Sequence, residues 1–196
     1  DDHTIYLIDH QGNTLWQRTL EGHIVSDIYQ RDYYGNGKLQ MLFNTENKIF
    51  LLDRNGEDVA HYPLTLNVPA SNGLSVFDYK GDHNYRIFIA TVDNRVNLLD
   101  KEGGPVEGWQ FEETQSPVVQ PVQHFRLGSK DYLVFADESR VYILHPRGTE
   151  RVSLEEQFAK SEKNRFYLQN ATDTVASHLL TTNTDGQLCK IYFDGR

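Results

Sequence analysis

The sequence predicts an all-β fold, a partial or small β-propeller of about four to five four-stranded antiparallel blades. Three observations carry that expectation: a recurring phrase, its regular spacing, and a composition rich in aromatics. The phrase is Ile5-Tyr6-Leu7-Ile8-Asp9-His10-Gln11-Gly12, and it returns as Ile49-Phe50-Leu51-Leu52-Asp53-Arg54-Asn55-Gly56 and as Val96-Asn97-Leu98-Leu99-Asp100-Lys101-Glu102-Gly103. More worn copies are Val141-Tyr142-Ile143-Leu144-His145-Pro146-Arg147-Gly148 and Leu188-Cys189-Lys190-Ile191-Tyr192-Phe193-Asp194-Gly195. The five closing glycines stand 44, 47, 45 and 47 residues apart. Eleven Tyr, ten Phe and two Trp suit pleated, half-buried surfaces, and a single Met with scarce Ala gives long helices little support.

Each copy carries the same chemistry. An apolar or aromatic run reads as a strand buried on both faces. Asp9, Asp53 and Asp100 then open a turn that Gly12, Gly56 and Gly103 close, while Gly148 and Gly195 close the last two. Asp can bond the backbone two residues on, and Gly accepts a positive φ without penalty. A second strand is expected to leave each turn: Thr14–Arg18, Asp58–Tyr62 and Pro105–Trp109. Upstream lies a hairpin partner, at Leu39–Phe43, Arg86–Ala90, Tyr132–Ala136 and Leu179–Thr181, joined to the phrase by Asn/Asp-rich turns. A fourth strand is expected before that one, at Ile24–Tyr29, Leu74–Phe77 and Val118–Phe125. Only Ser153–Phe158 looks helical, as a capping box able to hold one or two turns.

The whole chain, 1–196, reads as one propeller-like domain with units near 1–22, 23–67, 68–114, 115–163 and 164–196. Strand counting gives two strands at the start, three complete units, and three strands at the end. The leftovers make five strands where a closing blade needs four, so an open array or a fragment of a longer protein is expected. The opening at Asp1-Asp2-His3-Thr4, which runs at once into a strand, reads as a cut or processed start. Bare edge strands invite pairing, so a homodimer or flanking domains are expected to cover them.

Charge and cysteine usage narrow the function classes. A net charge of −9 argues against sequence-independent nucleic-acid binding and against anionic lipid. Cys189 is the only cysteine, so neither an intrachain disulfide nor a Cys-based zinc site can form. No apolar run approaches the roughly 18 residues that span a membrane as a helix.

The stretch Ile5–Trp16, with its aliphatic-aromatic strand, Asp-x-x-Gly turn and Leu15-Trp16 pair, resembles the repeat of quinoprotein-like (PQQ-repeat-like) propellers. That family includes pyrroloquinoline-quinone dehydrogenases and an eight-bladed outer-membrane assembly lipoprotein. The chain is also similar to the propeller region of uncharacterised Bacteroides-type envelope proteins. The resemblance spans nearly the whole chain and implies fold more than activity. It implies a cell-envelope, periplasmic or extracellular location. The quinone dehydrogenases stack their cofactor on an adjacent Cys-Cys disulfide and hold calcium with Glu, Asn and Asp inside a full ring. The lone Cys189 departs from that pattern, and a quinone-dependent dehydrogenase fragment is the weakest reading.

Other motifs resolve towards structure. Asp32-Tyr33-Tyr34-Gly35-Asn36-Gly37 and Asp78-Tyr79-Lys80-Gly81-Asp82 resemble calcium loops, but Tyr34 and Lys80 stand where further carboxylates belong, so they read as solvated hairpin turns. The eight histidines form no i, i+2 or i, i+4 pair. No nucleophile elbow or phosphate loop occurs, and Gly103-Gly104-Pro105 is too short to cradle a phosphate. Asn170-Ala171-Thr172 fits a glycosylation pattern that arises often by chance. No catalytic, cofactor-binding or metal residue is assigned. The expectation is a non-enzymatic protein-binding or scaffolding module whose partner the sequence does not identify. The alternative is a small-ligand or glycan-binding sensor domain using Tyr33, Tyr34, Tyr79 and Tyr85.

Overall fold

The structure, a computed structural model, describes residues 3–170 and 175–196. The glycosylation pattern at Asn170-Ala171-Thr172 therefore lies partly outside the described residues. Among the described residues every regular element is a strand, and each sheet is an antiparallel meander cut from one contiguous stretch. The first sheet pairs β1 (Thr4–Ile8) with β2 (Thr14–Thr19). The second holds β3 (Tyr29–Arg31), β4 (Gln40–Asn44), β5 (Lys48–Leu52) and β6 (Leu64–Thr65) in that order. The third holds β7 (Ser75–Phe77), β8 (Arg86–Ala90) and β9 (Val96–Asp100). The fourth holds β10 (Gln123–Leu127), β11 (Lys130–Ala136), β12 (Val141–Leu144) and β13 (Glu150–Val152), and the fifth β14 (Tyr167–Gln169), β15 (His178–Thr182) and β16 (Leu188–Tyr192).

Alternation along the strands builds the core. In β4 and β5, Leu42, Ile49 and Leu51 point to the third sheet, whereas Phe43, Phe50 and Leu52 point back to the first. In β8, Ile87 and Ile89 face the second sheet, and Phe88 and Ala90 face the fourth. Val134, Val141 and Ile143 of the fourth sheet meet Leu179 and Ile191 of the fifth. Side chains of successive residues leave a strand on opposite faces, so a continuous apolar run serves two neighbours at once. Each fully buried Leu, Ile or Phe contributes roughly 1.5–3 kcal/mol. The result is four apolar layers between five sheets, the blade-on-blade packing of a β-propeller.

The repeated turn repeats in detail. Asp9 Oδ1 accepts the amides of Gln11 and Asn13 at 2.8 and 2.9 Å, and Asp53 and Asp100 accept the corresponding amides of their own turns. In the worn fourth copy the His145 Nδ1 takes this role, accepting from Arg147 N at 3.0 Å. The closing glycine also meets the preceding unit. A Cβ on Gly148 would sit 2.6 Å from the Phe111 amide nitrogen, and one on Gly56 would sit 2.9 Å from the Trp16 ring. On Gly103 and Gly195 it would strike Leu64 and the Ser153 carbonyl. Gly12, with no sheet before it among the described residues, has nothing within 4 Å.

Polar side chains stitch neighbouring units along their first strands. Ser75 Oγ donates to the Val122 carbonyl, Asn72 Nδ2 to that of Gln120, and Gln123 exchanges two bonds with Phe166. Asp27, just before β3, meets Arg165, just before β14, at 3.0 Å across 138 residues of sequence. The arc therefore curls until the first-strand ends of the second and fifth sheets touch. Among the described residues no apolar cluster joins the fifth sheet to the first.

Three local expectations are corrected. The last strand of the second unit is not Asp58–Tyr62 but Leu64–Thr65, because the chain reverses at Ala60 (φ 54°) and sends Val59 and Tyr62 into the core. The third unit has three strands where four were expected. Pro105 brings no N–H, the Val106 amide makes one bond to Leu98, and the Trp109 indole takes the Val96 carbonyl. Ser153–Phe158 forms no helix: the Glu155 amide donates to Gly195 and the Gln157 amide oxygen accepts from Val141, while Leu154 and Phe158 pack on the core.

Candidate functional site

Among the described residues the two end sheets each have a face without a neighbour, and both faces carry exposed apolar side chains, Tyr167 and Leu188 on the fifth and a larger group on the first. On β1, Ile5 points into the layer shared with β4 and β5. Alternation then turns Tyr6 and Ile8 the other way, and both are exposed, as is Leu15 of β2. On the inner side of the same sheet, β1 pairs only with β2, so its second edge is open. Beside that edge lies a groove of about 680 Å³ lined by Leu7, Gln30, Tyr34, Asn36, Lys38, Leu39, Met41, Asp53, Arg54 and Asn55. Tyr34 and Leu39 stand at its mouth, half or more exposed.

The loop that presents Tyr34 is built by its own aspartate. Asp32 Oδ1 accepts the Asn36 amide at 3.0 Å and Oδ2 accepts the Gly37 amide at 2.7 Å. Desolvation pushes this carboxyl upward, but the amides of Gly37, Asn36 and Gly35 and the nearby His83 outweigh it, so it sits below its ordinary value. Asp78 does the same for its loop, accepting from Gly81, Asp82 and His83. Both carboxylates are occupied in holding hairpin loops. Among the described residues no group of three or more His, Cys, Asp and Glu is placed to hold a metal ion.

The four tyrosines expected to face a ligand divide. Tyr34 is 57% exposed and meets the Tyr33 ring edge-on at 5.0 Å. Tyr33 and Tyr85 are corrected to interblade packing residues: both are buried, Tyr33 donating to the Glu102 carboxylate at 2.6 Å and Tyr85 to the Asp32 carbonyl at 3.3 Å. Burial, then the bond to Glu102, holds the Tyr33 phenol well above its ordinary value. Tyr79 is half-buried against Phe77 and His124, and its hydroxyl has no partner within the described protein. The chain between Asp32 and Tyr34 turns back on itself, so neighbouring tyrosines point to the core and to solvent by turns. The groove residues Gln30, Leu39 and Arg54 carried no sequence signal, because they come from three strands or turns that only the fold brings together.

Sheets of four or fewer antiparallel strands, radially stacked and bonded along their first strands, define the chain as an open arc of a β-propeller. Comparison with solved structures agrees on that class. The chain is similar to BBS1N in a crystal structure in complex with ARL6DN, soaked with lead, with a TM-score of 0.61 at 13% identity. A second structure of BBS1N in complex with ARL6DN, soaked with mercury, matches with a TM-score of 0.56 at 14% identity. All of this chain is covered in both cases, and it spans 60% and 59% of the length of the solved chains. At this identity the likeness shows the fold. No family model matches the chain, and no curated protein matches it. No helix among the described residues is long and apolar enough to cross a membrane.

Proposed function

We propose that this chain is a non-enzymatic protein-binding module whose contact surface is the outward face of the first sheet. The observation that carries the reading is the exposure of Tyr6, Ile8 and Leu15 on one face of the first sheet, where the matching Phe50, Leu52, Tyr142 and Leu144 of the second and fourth sheets are buried. Contiguous exposed apolar side chains mark interaction surfaces more often than isolated ones do. That the similar BBS1N was solved in complex with ARL6DN supports the class of function, though not the partner. The quinoprotein-like repeat phrase supports a cell-envelope setting for this reading. In a comparative capture from a source extract, wild type and Val92→Asp, an exposed change elsewhere, are expected to retain the same proteins. Ile8→Asp/Leu15→Asp is expected to lose them while keeping the wild-type circular dichroism. An unchanged captured set contradicts the reading.

One observation favours a second reading. The groove beside β1 combines an exposed tyrosine with amide and charged side chains from Gln30, Asn36, Asp53, Arg54 and Asn55. An aromatic platform ringed by amides suits a sugar, whose CH faces stack and whose hydroxyls bond. Here Tyr34→Ala is the discriminating variant: it removes oligosaccharide binding in a calorimetric screen if this reading holds, and leaves protein capture intact.

A further inference from the structure

Scattered through the sequence, the histidines make no pair, but the fold brings two of them together. The Nε2 atoms of His3 and His23 stand 3.0 Å apart, with ring centroids at 4.0 Å and planes crossed at 67°. Both side chains are exposed, at the rim of a cavity of about 330 Å³ lined also by Thr4, Tyr6, Leu20, Gly22 and Ile24. The backbone holds both ends of the pair. Thr4 and Thr19 are register partners in the β1–β2 hairpin, and the Leu20 amide donates to the His3 carbonyl at 2.8 Å. Gly22, at φ 94°, then turns the chain so that His23 comes back over His3.

We propose that His3 and His23 form a two-histidine site for a divalent transition metal, with copper(II) or nickel(II) as the ions it fits. Imidazole nitrogens bind such ions at about 2.1 Å, and two of them 3.0 Å apart then subtend about 90° at a shared ion. That is a cis pair in a square-planar or tetragonal site, the geometry of copper(II) and nickel(II). A tetrahedral pair, as zinc prefers, would stand about 3.4 Å apart. In this structure the two nitrogens share one hydrogen bond, one ring donating its N–H and the other accepting. An ion displaces that proton, the exposed rings turn to face it, and water completes the coordination. Bound there, the ion ties the start of β1 to the segment leading into the second sheet. It thereby ties down one of the two end sheets of the array, each of which has an apolar layer on a single side among the described residues. Binding only the folded form, it raises stability as its concentration exceeds the dissociation constant.

Copper(II) titrated into the full chain tests this by calorimetry and by electron paramagnetic resonance. One ion per chain is expected, with a spectrum of two equatorial imidazole nitrogens, and binding to copper is expected to be tighter than to nickel or zinc. His3→Ala and His23→Ala each remove that species, whereas His10→Ala keeps it. Copper also raises the thermal midpoint of wild type and of His10→Ala, but not of the other two. Binding that survives His23→Ala assigns the ion to His3 and its own flanking backbone, and overturns the pair. Zinc binding tighter than copper overturns the geometry, and absence of any saturable binding overturns the site.

Discussion

Strands β1 and β5 spell nearly the same word, Thr-Ile-Tyr-Leu-Ile and Lys-Ile-Phe-Leu-Leu, and meet opposite surroundings. Tyr6 is 47% exposed where its counterpart Phe50 is 3% exposed, and Ile8 is 56% exposed where Leu52 is fully covered. The local structure is the same, down to the Asp9 and Asp53 carboxylates that close the two turns. What differs is the neighbour. In a stacked array each sheet's burial is contributed by the sheets beside it, so identical phrases carry different energies at different places. An interior copy stabilises the fold. An end copy offers the same apolar side chains to something else.

The strongest way to break this comparison is truncation at matched positions. Leu52→Ala leaves a cavity in the layer between the first and second sheets and is expected to cost about 2–5 kcal/mol in urea unfolding. Ile8→Ala, on the open face, is expected to stay within about 0.5 kcal/mol. Equal losses would mean that the face of β1 is covered after all.

A second test moves to the junction of the fourth and fifth sheets, where a buried charged side chain sits beside the apolar layer. Lys160 is buried, its ammonium donating to Gln120 Oε1 at 2.6 Å and to the carbonyls of Ser161 and Asn164 over the Phe166 ring. Burial holds its pKa down at about 8, while the charge of Glu162 acts the other way. The charged form is thus less favoured folded than unfolded. Between about pH 8 and the ordinary lysine value the unfolded chain holds the extra proton, so stability rises with pH across that window. The rise is expected to reach about 3 kcal/mol at most, and Lys160→Met should flatten the profile over the same range.

The turn glycines sharpen the comparison further. Gly12 and Gly148 share φ near 90°, and an alanine at either is strained by about 1–2 kcal/mol. Only at Gly148 does the new Cβ also run into a neighbouring backbone, 2.6 Å from the Phe111 nitrogen. Gly148→Ala is therefore expected to exceed Gly12→Ala by a further 1–3 kcal/mol or so, read from the two denaturation midpoints. The smallest effect belongs to the ion pair that links the first strands of the second and fifth sheets. Asp27 and Arg165 are both largely exposed, so a double-mutant cycle should give a coupling of no more than about 1 kcal/mol. Added salt should lower it.

Much of the fold is legible in the sequence because one device is reused. The Asp-x-x-Gly turn demands particular residues, and continuous apolar runs are needed wherever a strand has a sheet on each side. Hence β8 and β9 fall at Arg86–Ala90 and Val96–Asp100, on or beside the residues expected. The outer strands were harder. Asp58–Tyr62 has a strand-like pattern, but Val59 and Tyr62 gain more by turning inward onto Ile49 and Leu51 than by extending along the edge. Ser153–Phe158 has a capping-box pattern, yet its backbone donors find partners in the next unit. The site was less legible still. Tyr33 and Tyr34 are adjacent and chemically alike, and only the course of the loop sends one to Glu102 and the other to solvent. His3 and His23 are twenty residues apart and meet through hairpin register, which no spacing rule for helices or strands would find.

Amide hydrogen exchange, read strand by strand on the isolated chain, puts the claim about the uncovered end sheet to its most direct trial. The account predicts that amides of β1 exchange orders of magnitude faster than those of β5 and β12, which open only with the surrounding layers. Equal protection of all three phrases would contradict it.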